Sequence, residues 1–142
     1  MPINGYSTGR DQTLIIVASG GILSFPGITS FQSKQETSEE SITKIDGVID
    51  HVRFFKGWTG SFSLERQSSA VDKYFNQLEA NYFTGVNELP VFIQEILLER
   101  DGSLTSMLYE KVLLKLDDAG TWRGDGVVKQ GLSFLASRRK NQ

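Results

Sequence analysis

His51 is the only histidine in the 142-residue chain, so a Ser-His-Asp triad would have to be built on it. It stands in a stretch that reads as a hairpin, and no Gly-x-Ser-x-Gly elbow occurs. A solvated or subunit-contacting imidazole accounts for it. Asp46, Asp50 and His51 lie close in sequence, yet their spacing departs from the Asp-x-Asp-x-Asp-Gly calcium loop. Turn chemistry and solvation explain them better than a metal. The pairs Glu39-Glu40 and Asp117-Asp118 are adjacent, and extended chain sends adjacent side chains to opposite sides. They do not make the two-carboxylate cleft of a glycosidase. The glycine-rich segment 120–126 lacks the order G-x-x-x-x-G-K-[ST], and no helix follows it to receive a phosphate. It reads as a turn that lets Trp122 pack. Arg138-Arg139-Lys140 has no interleaved aromatics and reads as a frayed, soluble terminus. No catalytic residue, no metal and no cofactor is expected.

Composition closes further routes. The chain has no cysteine, which excludes disulfide scaffolds, zinc–thiolate sites and thiol catalysis. Fifteen Lys and Arg stand against 17 Asp and Glu, a formal charge of -2, so no global field attracts nucleic acid or acidic lipid. Residues 1–10 lack the basic and apolar regions of a secretory signal. The longest purely apolar run is 14–18, far short of the roughly 20 residues that span a bilayer. A soluble protein without membrane contact is expected, organised as a single domain over 1–142. A domain of this length can bury roughly two-thirds of its unfolded surface.

The elements that must position any site are mainly strands. Residues 12–18 are β-prone, and Gly20-Gly21 ends the run with a turn dipeptide that lets 22–25 return antiparallel. Residues 28–35 are extended but thinly apolar: Ile28 and Phe31 fall on opposite faces by a period of two. Residues 34–56 open with an acidic run and carry Asp46-Gly47 between β-branched stretches, a strong hairpin signal. With a charged stem and few core residues, this hairpin should project. Trp58, Gly60, Phe62 and Leu64 share one strand face, and Thr59, Ser61, Ser63 and Glu65 share the other.

A helix is expected over about 69–84, with Ser69 and Asp72 as a capping-box start and Gly85 as the stop. Its core face is Val71, Tyr74, Phe75, Leu78 and Tyr82. Strands follow over 91–99 and 104–116, joined by Arg100-Asp101-Gly102. Leu108, Val112, Leu114 and Leu116 share a face that Glu110 interrupts. The last strand, 127–135, sends Val128, Leu132, Phe134 and Ala136 one way, with Lys129, Gly131 and Ser133 the other. The sum is mainly β: a sandwich or barrel of about seven strands with one flanking helix. The weakly anchored stretch 28–35 and the polar faces leave backbone edges that invite pairing with another chain.

Taken together, Gly9-Arg10-Asp11 before an apolar strand, the acidic hairpin, the helix with Tyr74-Phe75 and Tyr82-Phe83, and the ending Val127-Val128-Lys129-Gln130-Gly131-Leu132-Ser133-Phe134 give a pattern across most of the chain. It resembles that of the tail tube proteins of contractile-tailed bacteriophages, whose fold is shared by type VI secretion and bacteriocin tubes. The resemblance implies a non-enzymatic structural subunit. Six copies form a ring, inner sheets join into one barrel, and stacked rings conduct DNA without sequence-specific binding.

The hairpin then reaches the neighbouring ring through Glu36, Glu39, Glu40, Lys44, Asp46, Gly47, Asp50, His51 and Arg53. Thr59, Ser61, Ser63, Glu65, Lys129 and Ser133 are expected to face the lumen. The implied partners are further copies of the chain, a tail sheath, a baseplate hub, a tape measure protein and the genomic DNA in transit. The location is a virion tail assembled in the host cytoplasm. A DNA-free contractile injection particle and a small-molecule-binding barrel are the alternatives; the latter needs an apolar cavity.

Overall fold

A computed structural model describes residues 3–18 and 21–142. A short 3-10 turn, Gly9–Asp11, is closed by the buried Asp11, whose Oδ2 accepts from the Thr8 backbone N–H at 2.9 Å. Among the described residues eight strands follow: β1 (Gln12–Ala18), β2 (Gly21–Leu23), β3 (Ile28–Thr43), β4 (Ile49–Glu65), β5 (Val91–Leu98), β6 (Leu104–Asp118), β7 (Lys129–Ala136) and β8 (Arg138–Asn141). The helix α1 (Ala70–Phe83) separates β4 from β5. All strands pair antiparallel in one sheet of order β2-β1-β5-β6-β7-β4-β3, with β8 alongside β6. This is the expected mainly β architecture with one helix. Gly20, half of the turn dipeptide expected after β1, lies outside the described residues.

The sheet has two arms that share β6. Its first half pairs with β5 and β8, and its second half, from Leu113, pairs with β7. Between them Lys111 takes φ +51°, and the register slips between Val91 and Ile93. Such a bulge bends a strand and lets it turn from one arm into the other. Residues of both arms meet in one core: Ile16, Val91 and Ile93 from one, Phe62, Leu64, Leu132 and Phe134 from the other.

The same bulge corrects the expected β6 face. The even-numbered pattern holds for Val112 and Leu114, but before the bulge it is Tyr109, not Leu108, that is fully buried. Glu110 therefore interrupts nothing; the phase of the strand changes beside it.

A second bulge corrects the reading of 28–35. Ile28 pairs with Leu64 and Ser30 with Ser63, so Thr29 is the extra residue and Phe31 comes opposite Phe62. Ile28 and Phe31 consequently pack against the core together instead of facing apart. Phe31 stacks on Phe134 with ring centroids 5.6 Å apart. Gly60 makes room for that cluster, since a Cβ there would fall 2.5 Å from the Phe134 ring.

The helix packs Val71 fully and Tyr74, Phe75 and Leu78 partly. Tyr82 departs from the expected core face: it is 77% exposed, because the last turn runs past the core residues that bury the first. The capping box is also absent. Ser69 makes no side-chain cap bond, and Ser68 Oγ accepts from Ala70 N instead. Asp72 is engaged elsewhere, by Arg66 Nε at 3.1 Å and Gln130 Nε2 at 2.9 Å. Gly85, at φ +80°, ends the helix as expected; its N–H donates to Tyr82 O, and Val86 N–H donates to Asn81 O.

The terminal basic residues do not fray. Ser137 N–H donates to Glu110 O, and β8 then pairs along Met107 to Glu110 of β6. Lys140 Nζ lies 3.1 Å from Glu110 Oε1, and the Arg139 guanidinium sits 4.0 Å over the Trp58 ring. Backbone pairing plus a cation–π contact holds the segment down.

Candidate functional site

β3 and β4 form one long hairpin whose distal part stands alone. Among the described residues, β4 pairs with β7 only from Trp58 to Glu65, and Thr37 to Thr43 pair only with Ile49 to Phe55. The register shift between Glu36 and Thr37 marks where the ribbon leaves the body. Seven cross-strand pairs from Thr37↔Phe55 to Thr43↔Ile49 carry it roughly 23 Å outward at the usual rise per residue. Its turn is fixed by three bonds: Lys44 N–H to Val48 O, Gly47 N–H to Lys44 O and Val48 N–H to Asp46 Oδ1. Gly47 supplies the left-handed φ of +87° that this turn requires.

The hairpin residues expected from the sequence are all on this ribbon or at its root. Glu36 is at the root, where it accepts from Thr59 Oγ1 at 3.2 Å. Lys44 Nζ and Asp50 Oδ2 form an ion pair at 2.8 Å beside the turn. Glu39 sits opposite Arg53 and Glu40 opposite Val52; Ser41 Oγ and His51 Nδ1 are hydrogen-bonded at 3.0 Å.

Sequence reasoning missed the ribbon's apolar content. Ile42, Val48, Ile49, Val52, Phe54 and Phe55 are exposed and Ile45 at the turn is fully so. These residues were legible as β-formers, which masked that the strands have no second layer to bury them.

The second surface is the outer face of β3-β4-β7 and the second half of β6. Thr59, Ser61, Ser63 and Glu65 pair with Leu135, Ser133, Gly131 and Lys129, which puts Ser133 and Lys129 on the same side of the sheet as those four. Ser30 and Lys34 of β3 and Lys115 of β6 extend it by register. Ser30 Oγ and Ser63 Oγ lie 2.6 Å apart, and Lys129 Nζ lies 3.9 Å from Glu65 Oε1. Hydroxyls and charges of both signs share this wall with the exposed Leu135 and Leu113, which pair with each other.

Both margins of the four-stranded arm are open. Among the described residues, β3 pairs only with β4, and Leu113 to Asp118 of β6 pair only with β7. Where the two ends of the whole sheet approach, a gap of 490 Å3 separates Gln12 to Leu14 from Ile28 to Phe31. Unpaired N–H and C=O groups along such margins are templates for another chain's strand. No group of three or more metal-ligating side chains occurs among the described residues, and none of their helices is long and apolar enough to cross a membrane.

No protein-family model matches the sequence, and no curated protein matches it. Solved structures do resemble the fold. A chain of the anti-feeding prophage cap, the tube-terminating cap, aligns over 100% of this chain and 94% of its own, with TM-score 0.67 and 10% identity. A chain of the sheath–tube complex of the extracellular contractile injection system PVC, in the extended state, aligns over 91% and 87%, with TM-score 0.64 and 10% identity. The SPP1 tail tube aligns over 96% of this chain and 78% of its own, with TM-score 0.59 and 11% identity. The chain therefore has the fold found in these tail-tube, sheath–tube and tube-cap assemblies.

Proposed function

We propose that the chain is a non-enzymatic structural subunit of a tube. Copies join head to tail, the β3 margin of one against the second-half margin of β6 in the next. Two different surfaces meet, as closure into a ring of identical subunits requires. With the six copies that the family resemblance implies, the wall has about 24 strands, too many for side chains to fill the interior. Thr59, Ser61, Ser63, Glu65, Lys129 and Ser133 line the lumen. Their mixed charge suits a polyanion in transit, since tight phosphate binding needs clustered Lys and Arg. The ribbon from Thr37 to Phe55 reaches the neighbouring ring, and sheath, hub and tape measure proteins complete a virion tail.

The observation that carries this reading is a four-stranded arm with a polar outer face and both long margins unpaired. Negative-stain imaging of concentrated protein, with size-exclusion chromatography, tests it: rings or tubes are expected, and a monodisperse monomer at every concentration would overturn it. The likeness to a chain of an extracellular contractile injection system favours a second reading, a tube in a particle without DNA. Nucleic-acid content of purified particles separates the two.

A further inference from the structure

The hairpin turn and the loop 119–128 lie at opposite ends of the same strand. That loop joins β6 to β7 at the end where Lys129 pairs with Glu65, the last residue of β4, while the turn precedes the first. The 17 residues of β4 put roughly 55 Å between these ends. Each end carries an uncovered apolar group. At the turn it is the fully exposed Ile45; on the loop it is Trp122, 67% exposed, with Val127 nearby in sequence and equally open.

The indole is prepared on one side only. The Arg66 guanidinium sits 5.1 Å from its ring centroid and is itself held by Asp72, with Nη2 to Oδ2 at 3.1 Å. The neighbouring charges are opposite. Asp46 follows Ile45, and the nearby Lys44 is already neutralised by Asp50. Arg123 follows Trp122 and has no ion-pair partner among the described residues. One end thus reads apolar then acidic, and the other aromatic then basic, with Asp125 two residues beyond Arg123.

Resting on the tube reading, we infer that Trp122 and Arg123 form the receiving surface for the hairpin turn of a second copy, with Ile45 against the indole and Asp46 beside Arg123. Opposite ends of one strand then set an axial repeat, each copy presenting a turn forward and a seat behind.

The test uses the full chain, with assembly followed by electron microscopy and by tryptophan emission. The Trp122 signal is the difference between wild type and Trp122→Phe, which keeps an aromatic seat. On assembly that signal should shift to the blue and become protected from acrylamide. Ile45→Asp and Trp122→Ala should each weaken ring stacking by at least about tenfold, the loss expected for uncovering one large apolar contact. Arg123→Asp should weaken stacking as well, since it sets like charges together while leaving intact the Asp46 bond that fixes the turn. Normal tubes from Trp122→Ala, with a wild-type Trp122 signal unchanged on assembly, overturn this seat while leaving the tube reading intact. Wild-type protein that forms no stacked rings overturns the seat together with the reading beneath it.

Discussion

Gln130, fully buried on β7, donates through Nε2 to Asp72 Oδ1 at 2.9 Å and to Ala119 O at 3.1 Å. One amide thereby ties the first turn of the helix and the residue that follows β6 to β7. Arg66, just past the end of β4, holds the other oxygen of Asp72, so each carboxylate oxygen has its own donor.

Gln130→Leu keeps the volume but removes the donor, and should cost about 0.5–1.5 kcal/mol, the range for a lost hydrogen bond, since Asp72 stays partly exposed and keeps Arg66. Gln130→Glu should cost more, because it sets a second carboxylate against Asp72. Urea unfolding of the three proteins gives the order directly; equal stabilities would mean that the amide holds nothing.

Gly60 is a packing requirement. Gly60→Ala would press a methyl into the Phe134 ring and the Gln32 carbonyl, an overpacking error of about 1–3 kcal/mol. Thermal unfolding should register it, whereas Gly124→Ala, with open space around its added carbon, should leave the midpoint close to wild type.

Asp101 caps the second Asp-Gly turn, where the Ser103 hydroxyl and then the Ser103 backbone N–H hold its carboxyl below the ordinary carboxylate value. A group depressed in the folded state stabilises above its unfolded pKa of about 4, and that contribution fades as the pH falls through the lower folded value. Ser103→Ala should move the Asp101 titration upward in an NMR pH series. An unmoved titration would show that the hydroxyl is not the cause.

The ribbon carries Glu36, Glu39, Glu40, Asp46 and Asp50 against Lys44, Arg53 and Lys56. Reversing Glu39 and Glu40 to lysine changes its formal charge from -2 to +2 while touching no ion pair among the described residues. The monomer should fold as before, by circular dichroism, and tube growth should stop. Polymers of ordinary length in micrographs would remove these carboxylates from the assembly contact.

Element types and the polar face of β4 were legible because alternation and turn residues are local. The Asp46-Gly47 turn, the Gly85 stop and the alternation of Ser61 and Ser63 with Phe62 and Leu64 all follow from short-range pattern. What escaped were phase changes. A period of two cannot announce where one residue is inserted, so Ile28 and Phe31 read as opposed and Leu108 reads as the buried residue in place of Tyr109. Long-range ties were equally silent: nothing near Gln130 names Asp72, and nothing near Arg139 names Trp58. Tyr82 fits the helical stripe by spacing, yet spacing does not say where the surface beneath a helix stops.

The bend at Lys111 has a mechanical corollary. Because β6 runs unbroken through both arms, a load taken up by the arm bearing the hairpin passes to the other along main-chain covalent bonds. Two separate layers would meet at a seam that can shear; here the corner is continuous, and stress is shared across it.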